Sequence, residues 1–115
     1  MLKSYAKAIQ SYEKITEVTE GEMAAEARCR IGECYYAMGE RDKAVEELLR
    51  VDILYDDFPR WVATARFLLG QCYEANGAPE KAILSYERLL KENRDSDWAP
   101  KAKERLKNLG VAAAG

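Results

Sequence analysis

The sequence repeats itself with a period of 37 or 38 residues. Residues 27–35 (ARCRIGECY) align with residues 65–73 (ARFLLGQCY) at an offset of 38, and residues 61–66 (WVATAR) resemble residues 98–103 (WAPKAK) at an offset of 37. The offset of 38 also relates two further pairs, Gly39 with Gly77 and Ala44 with Ala82. A fixed period of this length is typical of repeat proteins, in which each unit buries its apolar face against its neighbours.

Each repeat unit is predicted to contain two helices. Residues 22–38 carry apolar side chains three or four positions apart, which indicates one buried helix face. These residues are Met23, Ala27, Ile31, Cys34, Tyr35 and Met38. Thr19 with Glu22 predicts a capping box for a helix that begins near residue 20, and Gly39 follows where a left-handed residue ends a helix. A second helix is expected over about residues 41–54.

The same pattern continues along the chain. It predicts helices over about 60–76, 79–92 and 97–109, and a lone second helix over 2–17. No stretch alternates with period two, so no sheet is expected. We therefore predict one all-α domain of about six helices over residues 1–115. Its expected parts are a half repeat (1–18), two repeats (20–57 and 58–95), a C-terminal capping helix (96–110) and a flexible tail (111–115).

Composition excludes several classes of partner. The 115 residues suit one domain, and 48% of them are hydrophobic, which is ample for a packed core. Eighteen basic and twenty acidic residues give a net charge of −2, so no strong positive field exists to attract nucleic acid or an anionic membrane surface. No apolar run approaches the ~20 residues that span a bilayer. We therefore expect neither a nucleic-acid partner nor direct membrane insertion.

The sequence contains no recognisable catalytic or metal-binding motif. It has no histidine, which is the commonest general base and metal ligand, and no glycine-rich phosphate loop. Asp52, Asp56 and Asp57 could offer carboxylates to Ca²⁺, but they lack the spacing of an EF-hand. Three cysteines do not form a disulfide framework, and Cys34 and Cys72 are expected to be small core residues. We predict a protein that is not an enzyme and binds neither cofactor nor metal.

The predicted helix pairs resemble the tetratricopeptide repeat (TPR) family. The motif consists of Gly32 and Tyr35 in the first helix and Ala44 in the second, and it recurs as Gly70, Tyr73 and Ala82. The ordinary TPR period is 34 residues. The longer period, with DFPRW and RDSDWAP before first helices, is similar to bacterial extracytoplasmic TPR proteins. These include Tol–Pal-associated coordinators and outer-membrane assembly lipoproteins. The resemblance implies a right-handed solenoid of helix-turn-helix repeats.

The resemblance also implies a concave groove, lined by the first helices, that binds peptides. Carried over by register, its residues are Glu26, Cys29, Arg30, Glu33, Tyr36 and Ala37, then Thr64, Phe67, Leu68, Gln71, Glu74 and Ala75, then Lys101, Glu104, Arg105 and Asn108. Tyr36 and Phe67 are expected to be exposed aromatic anchors among polar neighbours. Cys29, Glu33 and Ala37 occupy the places where some TPR proteins clamp a terminal carboxylate, so that clamp is not expected. The mixed charge predicts no strong preference for acidic peptides.

The N-terminal helix has apolar residues on two flanks. One flank carries Tyr5, Ala8, Tyr12 and Ile15, and the other carries Leu2, Ala6 and Ile9. One flank is expected to pack on the helix over 20–38, and the other would normally meet a first helix that is missing here. An uncovered apolar patch of several hundred Å² usually finds a partner. We therefore predict self-association through Tyr5, Ala8, Tyr12 and Ile15, or a chain cut from a longer protein.

Together these patterns predict a non-enzymatic protein–protein interaction module that holds a peptide or a helical segment in its groove. One alternative is a self-associating scaffold of a bacterial envelope complex, acting through the N-terminal helix. Another is the non-catalytic portion of a larger enzyme. The compartment stays open, because unpaired cysteines and the absence of a leader favour the cytoplasm, whereas the long period is similar to that of periplasmic proteins.

Overall fold

Six helices form the part of the chain that the computed structural model describes, residues 2–111. They are α1 (Leu2–Val18), α2 (Glu22–Ala37), α3 (Arg41–Leu54), α4 (Pro59–Ala75), α5 (Pro79–Glu92) and α6 (Ala99–Asn108). This range contains no strand, and the predicted all-α helical repeat fold is confirmed. The predicted tail begins at Val111, and its residues 112–115 lie outside the described range.

A glycine with positive φ follows each of α2, α4 and α6. These residues are Gly39 (φ +80°), Gly77 (φ +73°) and Gly110 (φ +85°). After α2, the Glu40 N–H donates to the Tyr35 carbonyl at 2.8 Å, which is the long bond of a Schellman motif. The corresponding bonds follow α4 and α6 at 2.9 Å each. The last helix therefore ends in the same way as the first helices of the two repeats.

The start of α2 differs from the prediction. The helix begins at Glu22 with Gly21 as its N-cap and has no side-chain cap. Thr19 lies two residues before that N-cap, and its hydroxyl receives only a 3.5 Å contact from the Gly21 N–H, so the predicted capping box is wrong. Met23 is 63% exposed, whereas Ala24 and Ala25 are fully buried. Alanine suits these two buried positions because the neighbouring helices lie close to the start of α2.

Each helix packs against the next along the chain, and α2 also contacts α4. The core has two clusters that meet at α4. The first cluster joins α2, α3 and α4 through Ala25, Cys29, Ala44, Leu48, Val51, Trp61, Ala65, Leu69 and Cys72. The second joins α4, α5 and α6 through Phe67, Ala82, Tyr86, Leu89, Ala99, Ala102 and Leu106. Because α4 contributes to both clusters, every residue from Trp61 to Phe67 is buried.

The repeat signature lies at the contact between the two helices of each pair. Gly32 of α2 faces Leu48 of α3, and Gly70 of α4 faces Tyr86 of α5. Ala44 and Ala82 are fully buried, while Tyr35 and Tyr73 are half-buried against the clusters. The two glycines therefore occupy equivalent places, where a helix approaches too closely for a larger side chain.

An arginine links the two helices of each repeat. The Arg28 Nε donates to the Tyr55 hydroxyl at 3.2 Å, and the Arg66 guanidinium donates to the Asn93 side chain at 2.7 Å. Arg66 also forms a salt bridge of 3.0 Å to Asp52, and both side chains are under 10% exposed. Asp52 therefore helps to link α3 to α4. Its carboxylate binds Arg66 and does not join Asp56 and Asp57 in an acidic cluster.

No helix within residues 2–111 has the length and apolar character needed to cross a bilayer.

Candidate functional site

The exposed sides of α2, α4 and α6 form one surface, which we call the first-helix face. It contains two cavities, one at the start of α4 and α6 and one farther along α2 and α4. Arg30, Thr64 and Lys101, which belong to the three different helices, line the first cavity together. Glu33, Tyr36 and Gln71 line the second. The structure thus brings together residues that the repeat register predicts for the groove.

The larger cavity, which we call the tryptophan cavity, has a volume of about 680 Å³. It lies between the first turns of α4, the loop that joins α5 to α6, and the start of α6. Its lining residues are Arg30, Pro59, Arg60, Trp61, Thr64, Glu92, Asn93, Arg94, Asp95, Ser96, Asp97, Trp98 and Lys101. Two indole rings, four basic residues and three acidic residues therefore surround one space.

Trp61 lies on the α2 side of the tryptophan cavity. Its side chain is 6% exposed, and its indole N–H donates to the Glu22 carboxylate at 3.2 Å. Two guanidinium groups lie over the ring, that of Arg60 at 5.1 Å and that of Arg30 at 5.6 Å from the ring centre. A cation at this distance from an indole face is attracted by the ring quadrupole. Trp61 therefore holds two positive charges at the edge of the cavity.

Trp98 plays the corresponding part on the α6 side. Its indole N–H donates to the Thr64 hydroxyl at 2.8 Å, and its ring stacks on Phe67 with centres 4.7 Å apart. The Lys101 ammonium lies 4.8 Å from the centre of the ring. The Ser96 hydroxyl accepts the backbone N–H of Trp98 at 3.1 Å and fixes the loop before it. Hydrogen bonds and stacking therefore position this indole from both sides.

The smaller cavity, which we call the tyrosine cavity, has a volume of about 220 Å³. Its lining residues are Gly32, Glu33, Tyr36, Leu48, Leu68, Gln71 and Cys72. Tyr36 is 38% exposed, and Leu68 is half-buried beside it. Because its lining is mainly apolar or uncharged, this cavity suits an apolar side chain better than a charged one.

Three residues predicted for the groove are buried. Thr64 is 5% exposed, and its hydroxyl accepts the hydrogen bond from the Trp98 indole. Cys29 is fully buried, and its thiol lies 3.6 Å from the Trp61 carbonyl oxygen. Phe67 is 5% exposed because its ring packs against Tyr86 and Trp98. The expectation that Phe67 is an exposed anchor is therefore wrong, and Cys29 has no surface to offer a ligand. Burial also raises the pKa of the Cys29 thiol to about 12.

Glu74 and Arg105, also expected in the groove, bind each other. The Arg105 Nε donates to the Glu74 carboxylate at 3.1 Å, and the Tyr86 hydroxyl donates to the same carboxylate at 2.6 Å. The hydrogen bonds from Arg105 hold the pKa of Glu74 below its usual value, and the hydrogen bond from Tyr86 acts in the same direction. This network joins α4, α5 and α6. The charges of Glu74 and Arg105 therefore bind each other and stabilise the fold.

The remaining predicted groove residues lie at the surface. Glu26 and Glu33 form salt bridges to Arg30 at 3.7 and 2.9 Å, and the hydrogen bond from Arg30 to Glu33 is the main reason that the pKa of Arg30 is raised. Ala37, Ala75, Glu104 and Asn108 are exposed. Within residues 2–111, no group of three possible metal-ligating side chains occurs.

The register of the first helices did not identify Arg60, Trp61 or Trp98 as site residues. The available signal was the recurrence of tryptophan at an offset of 37, at the point where a first helix begins. That recurrence places one indole at each junction between successive first helices. Their lining of a common cavity depends on the packing of α6 beside α4.

On the predicted α1 flank, Tyr5, Ala8, Tyr12 and Ile15 are all half-buried. Ile9, expected on the opposite flank, is buried at 6% exposure, and Ala6 is exposed. The buried and half-buried residues of α1 therefore share one broad face, which packs on α2. The expectation of two separate apolar flanks is wrong for Ile9, because α2 covers it.

Two family models described as tetratricopeptide repeat match the chain, one over residues 26–56 and the other over residues 52–97. No curated protein and no solved structure matches it. The two matched stretches overlap and together contain Gly32, Tyr35, Gly70 and Tyr73, most of α2 and the whole of α3, α4 and α5. The chain therefore belongs to the tetratricopeptide repeat family.

Proposed function

We propose that this chain is a non-enzymatic module that holds a segment of a partner protein on the first-helix face. TPR repeats generally mediate protein–protein interaction and are typically non-catalytic. The observation that carries the proposal is the shared lining of the tryptophan cavity by Arg30 of α2, Arg60 of α4 and Lys101 of α6. A ligand in that cavity contacts three successive first helices, so binding depends on the stacking of the repeats.

The dimensions of the site suit a short peptide segment. Ligand cavities typically have volumes of about 300–1,000 Å³, and the tryptophan cavity falls in this range at about 680 Å³. The tyrosine cavity, about 220 Å³, offers room for one further side chain. For a short segment held in these two cavities we expect micromolar affinity, roughly −8 kcal/mol.

A peptide-display selection tests this proposal. The folded chain is used to select binders from a library of random 12-residue peptides, and the affinities of the selected peptides are measured by fluorescence polarisation. The groove variant Tyr36→Ala with Gln71→Ala is compared with Leu84→Ala, which alters a 67% exposed residue of α5. We expect the groove variant to bind about tenfold more weakly and the α5 variant to bind like the parent chain. Equal binding by all three proteins, or a selection without binders, would overturn the proposal.

A second candidate function is self-association through α1, as in a scaffold of a bacterial envelope complex. The observation that favours it is the half-buried state of Tyr5, Ala8, Tyr12 and Ile15, whose face is only partly covered by α2. A second copy of the chain could cover the remaining area with the same residues, which is the arrangement of a two-fold interface. The size of the particle in solution tests this candidate.

A further inference from the structure

We propose that the first-helix face selects a peptide segment with an acidic side chain and, two or three residues away, an apolar side chain. The acidic side chain enters the tryptophan cavity, and the apolar side chain enters the tyrosine cavity. This inference rests on the proposed function, because it names the chemistry of the segment that the same face would bind.

The charges of the tryptophan cavity favour an anion once internal pairing is considered. Among its three carboxylates, that of Glu92 forms salt bridges to Arg66 and Arg88, at 3.2 and 3.4 Å. Arg60, Arg94 and Lys101 form no salt bridge with another described residue. The lining contains two other carboxylates, those of Asp95 and Asp97, so three such cations are opposed by two carboxylates. The charge that remains for a ligand is therefore positive.

The tryptophans strengthen this preference. Arg60 and Lys101 lie over the faces of Trp61 and Trp98, at 5.1 and 4.8 Å from the ring centres. A cation that is already held on a ring loses less side-chain freedom when an anion binds it. The same rings are poor sites for a cationic ligand, because the cations of the protein already occupy their faces. This arrangement distinguishes the cavity from an aromatic cage for a basic side chain.

The distance between the cavities sets the spacing of the peptide. Thr64 lines the tryptophan cavity, whereas Leu68 and Gln71 line the tyrosine cavity. Four to seven helical residues at 1.5 Å each correspond to roughly 6–10 Å along α4. An extended peptide advances about 3.3 Å per residue, so roughly two or three residues cover that distance. The predicted pattern is an acidic residue followed or preceded at that interval by an apolar one.

The test compares four fluorescein-labelled peptide pools of eight residues, otherwise random in sequence. Each pool has two constant residues, in the pattern Glu-x-x-Leu, Gln-x-x-Leu, Lys-x-x-Leu or Glu-x-x-Ser. Every pool contains peptides with the two constant residues in either order. We expect the full chain to bind the Glu-x-x-Leu pools about tenfold more tightly than the other three. Raising the salt concentration should reduce that advantage, because salt screens the attraction between the carboxylate and the cations. Equal affinity for the Glu and Gln pools would overturn the inference.

Charge variants test whether the tryptophan cavity is the source of the preference for Glu over Gln. Arg60→Gln with Lys101→Gln removes two cations of the cavity, whereas Lys14→Gln with Lys91→Gln removes two exposed cations of α1 and α5. We expect only the first pair to abolish the preference for Glu over Gln. If the control pair abolishes it equally, the effect comes from net charge and the inference fails. Circular dichroism establishes that each variant stays helical.

The outcomes separate this inference from the function on which it rests. If peptides bind without preference for Glu and the variant Tyr36→Ala with Gln71→Ala weakens them, the first-helix face binds peptides and only the acidic specificity is wrong. If peptides bind but that variant does not weaken them, both proposals are wrong. If no peptide binds, both proposals fall as well. A change in tryptophan fluorescence on adding unlabelled Glu-x-x-Leu peptide supports occupancy beside Trp61 and Trp98.

Discussion

Gly70 of α4 lies against the aromatic ring of Tyr86 of α5. A methyl group on Gly70 would come within 2.8 Å of the Tyr86 Cδ1 and nearer still to two other ring atoms. The ring cannot move away easily, because Tyr86 is fully buried and its hydroxyl is bonded to Glu74. The close approach of α4 and α5 therefore depends on the absence of a side chain at residue 70.

This contact predicts that Gly70→Ala destabilises the fold. Overpacking a core typically costs 1–3 kcal/mol, and the better helix propensity of alanine offsets about 1 kcal/mol of it. We expect a net loss of up to about 2 kcal/mol in the free energy of unfolding, measured with urea. In a Tyr86→Ala background the loss should shrink, because removal of the ring leaves room for the methyl group. An equal loss in both backgrounds would mean that the ring is not the cause.

The buried pair of Arg66 and Asp52 yields a second prediction. Both side chains are under 10% exposed, and they lie 3.0 Å apart. Arg66→Met should cost about 3–5 kcal/mol, because it leaves a buried carboxylate with much of its compensating charge removed. Adding Asp52→Leu should recover most of that loss. Arg50→Met is the control, since Arg50 is 54% exposed and exposed pairs contribute about 1 kcal/mol or less. A loss for Arg66→Met no larger than that of the control would contradict the prediction.

The helices were largely predictable from the sequence, whereas the exposure of individual residues was not. Apolar spacing, Gly39 and Gly77 place the helix ends within a few residues, because glycine adopts the left-handed conformation of a Schellman motif at little cost. Periodicity identifies an apolar stripe but does not reveal how many neighbours cover a helix. Since α4 packs against both α2 and the α5–α6 pair, Phe67 is buried although its register position predicts the groove.

The residues of the candidate site were likewise only partly predictable from the sequence. Tyr36 and Gln71 follow from the repeat register, and the structure places both at the tyrosine cavity. The charge of the face did not follow from composition, because internal salt bridges decide which charges remain for a ligand. Glu74 and Arg105 neutralise each other, while Arg60 and Lys101 have no salt-bridge partner among the described residues. A count of acidic and basic residues along the chain cannot separate these cases.

The hydrogen-bonded state of Glu74 predicts a pH effect on stability. Its pKa is lowered in the folded protein, chiefly by hydrogen bonds from Arg105. The folded state therefore binds this proton less readily than the unfolded state, so the contribution to stability is present above the unfolded pKa of about 4.3 and is lost as pH falls through the folded pKa. Glu74→Gln should cost about 1 kcal/mol at pH 7 and progressively less below about pH 4.

Urea unfolding at pH 7, 5, 4 and 3 measures this difference. Glu87→Gln is the matched control, because Glu87 is an exposed residue of α5 with no salt bridge among the described residues. Its effect should stay small throughout the range. A gap between Glu74→Gln and the parent chain that stays constant down to pH 3 would show that titration of Glu74 is not responsible.

The three cysteines should react with thiol reagents at different rates. Burial raises the pKa of Cys29 to about 12 and that of Cys72 to about 11, so few thiolates form at either site at pH 8. Cys34 is only half-buried. We expect one thiol per chain to react quickly with an aromatic disulfide that releases a coloured product. In Cys34→Ser, no thiol should react quickly until urea unfolds the protein. Fast labelling of the folded Cys34→Ser variant would contradict the assigned burial.

Self-association through α1 predicts a change in size when its half-buried face is charged. Tyr12 is half-buried on that face, whereas Gln10 is exposed on the same helix. If two copies meet there, Tyr12→Glu should turn a dimer into a monomer in multi-angle light scattering, because an interface rarely tolerates an unpaired buried carboxylate. Gln10→Glu adds the same charge and should leave the dimer intact. Peptide affinity should stay unchanged in both variants, since none of the described side chains of α1 lines either cavity. A parent chain that remains monomeric at high concentration would rule out this assembly.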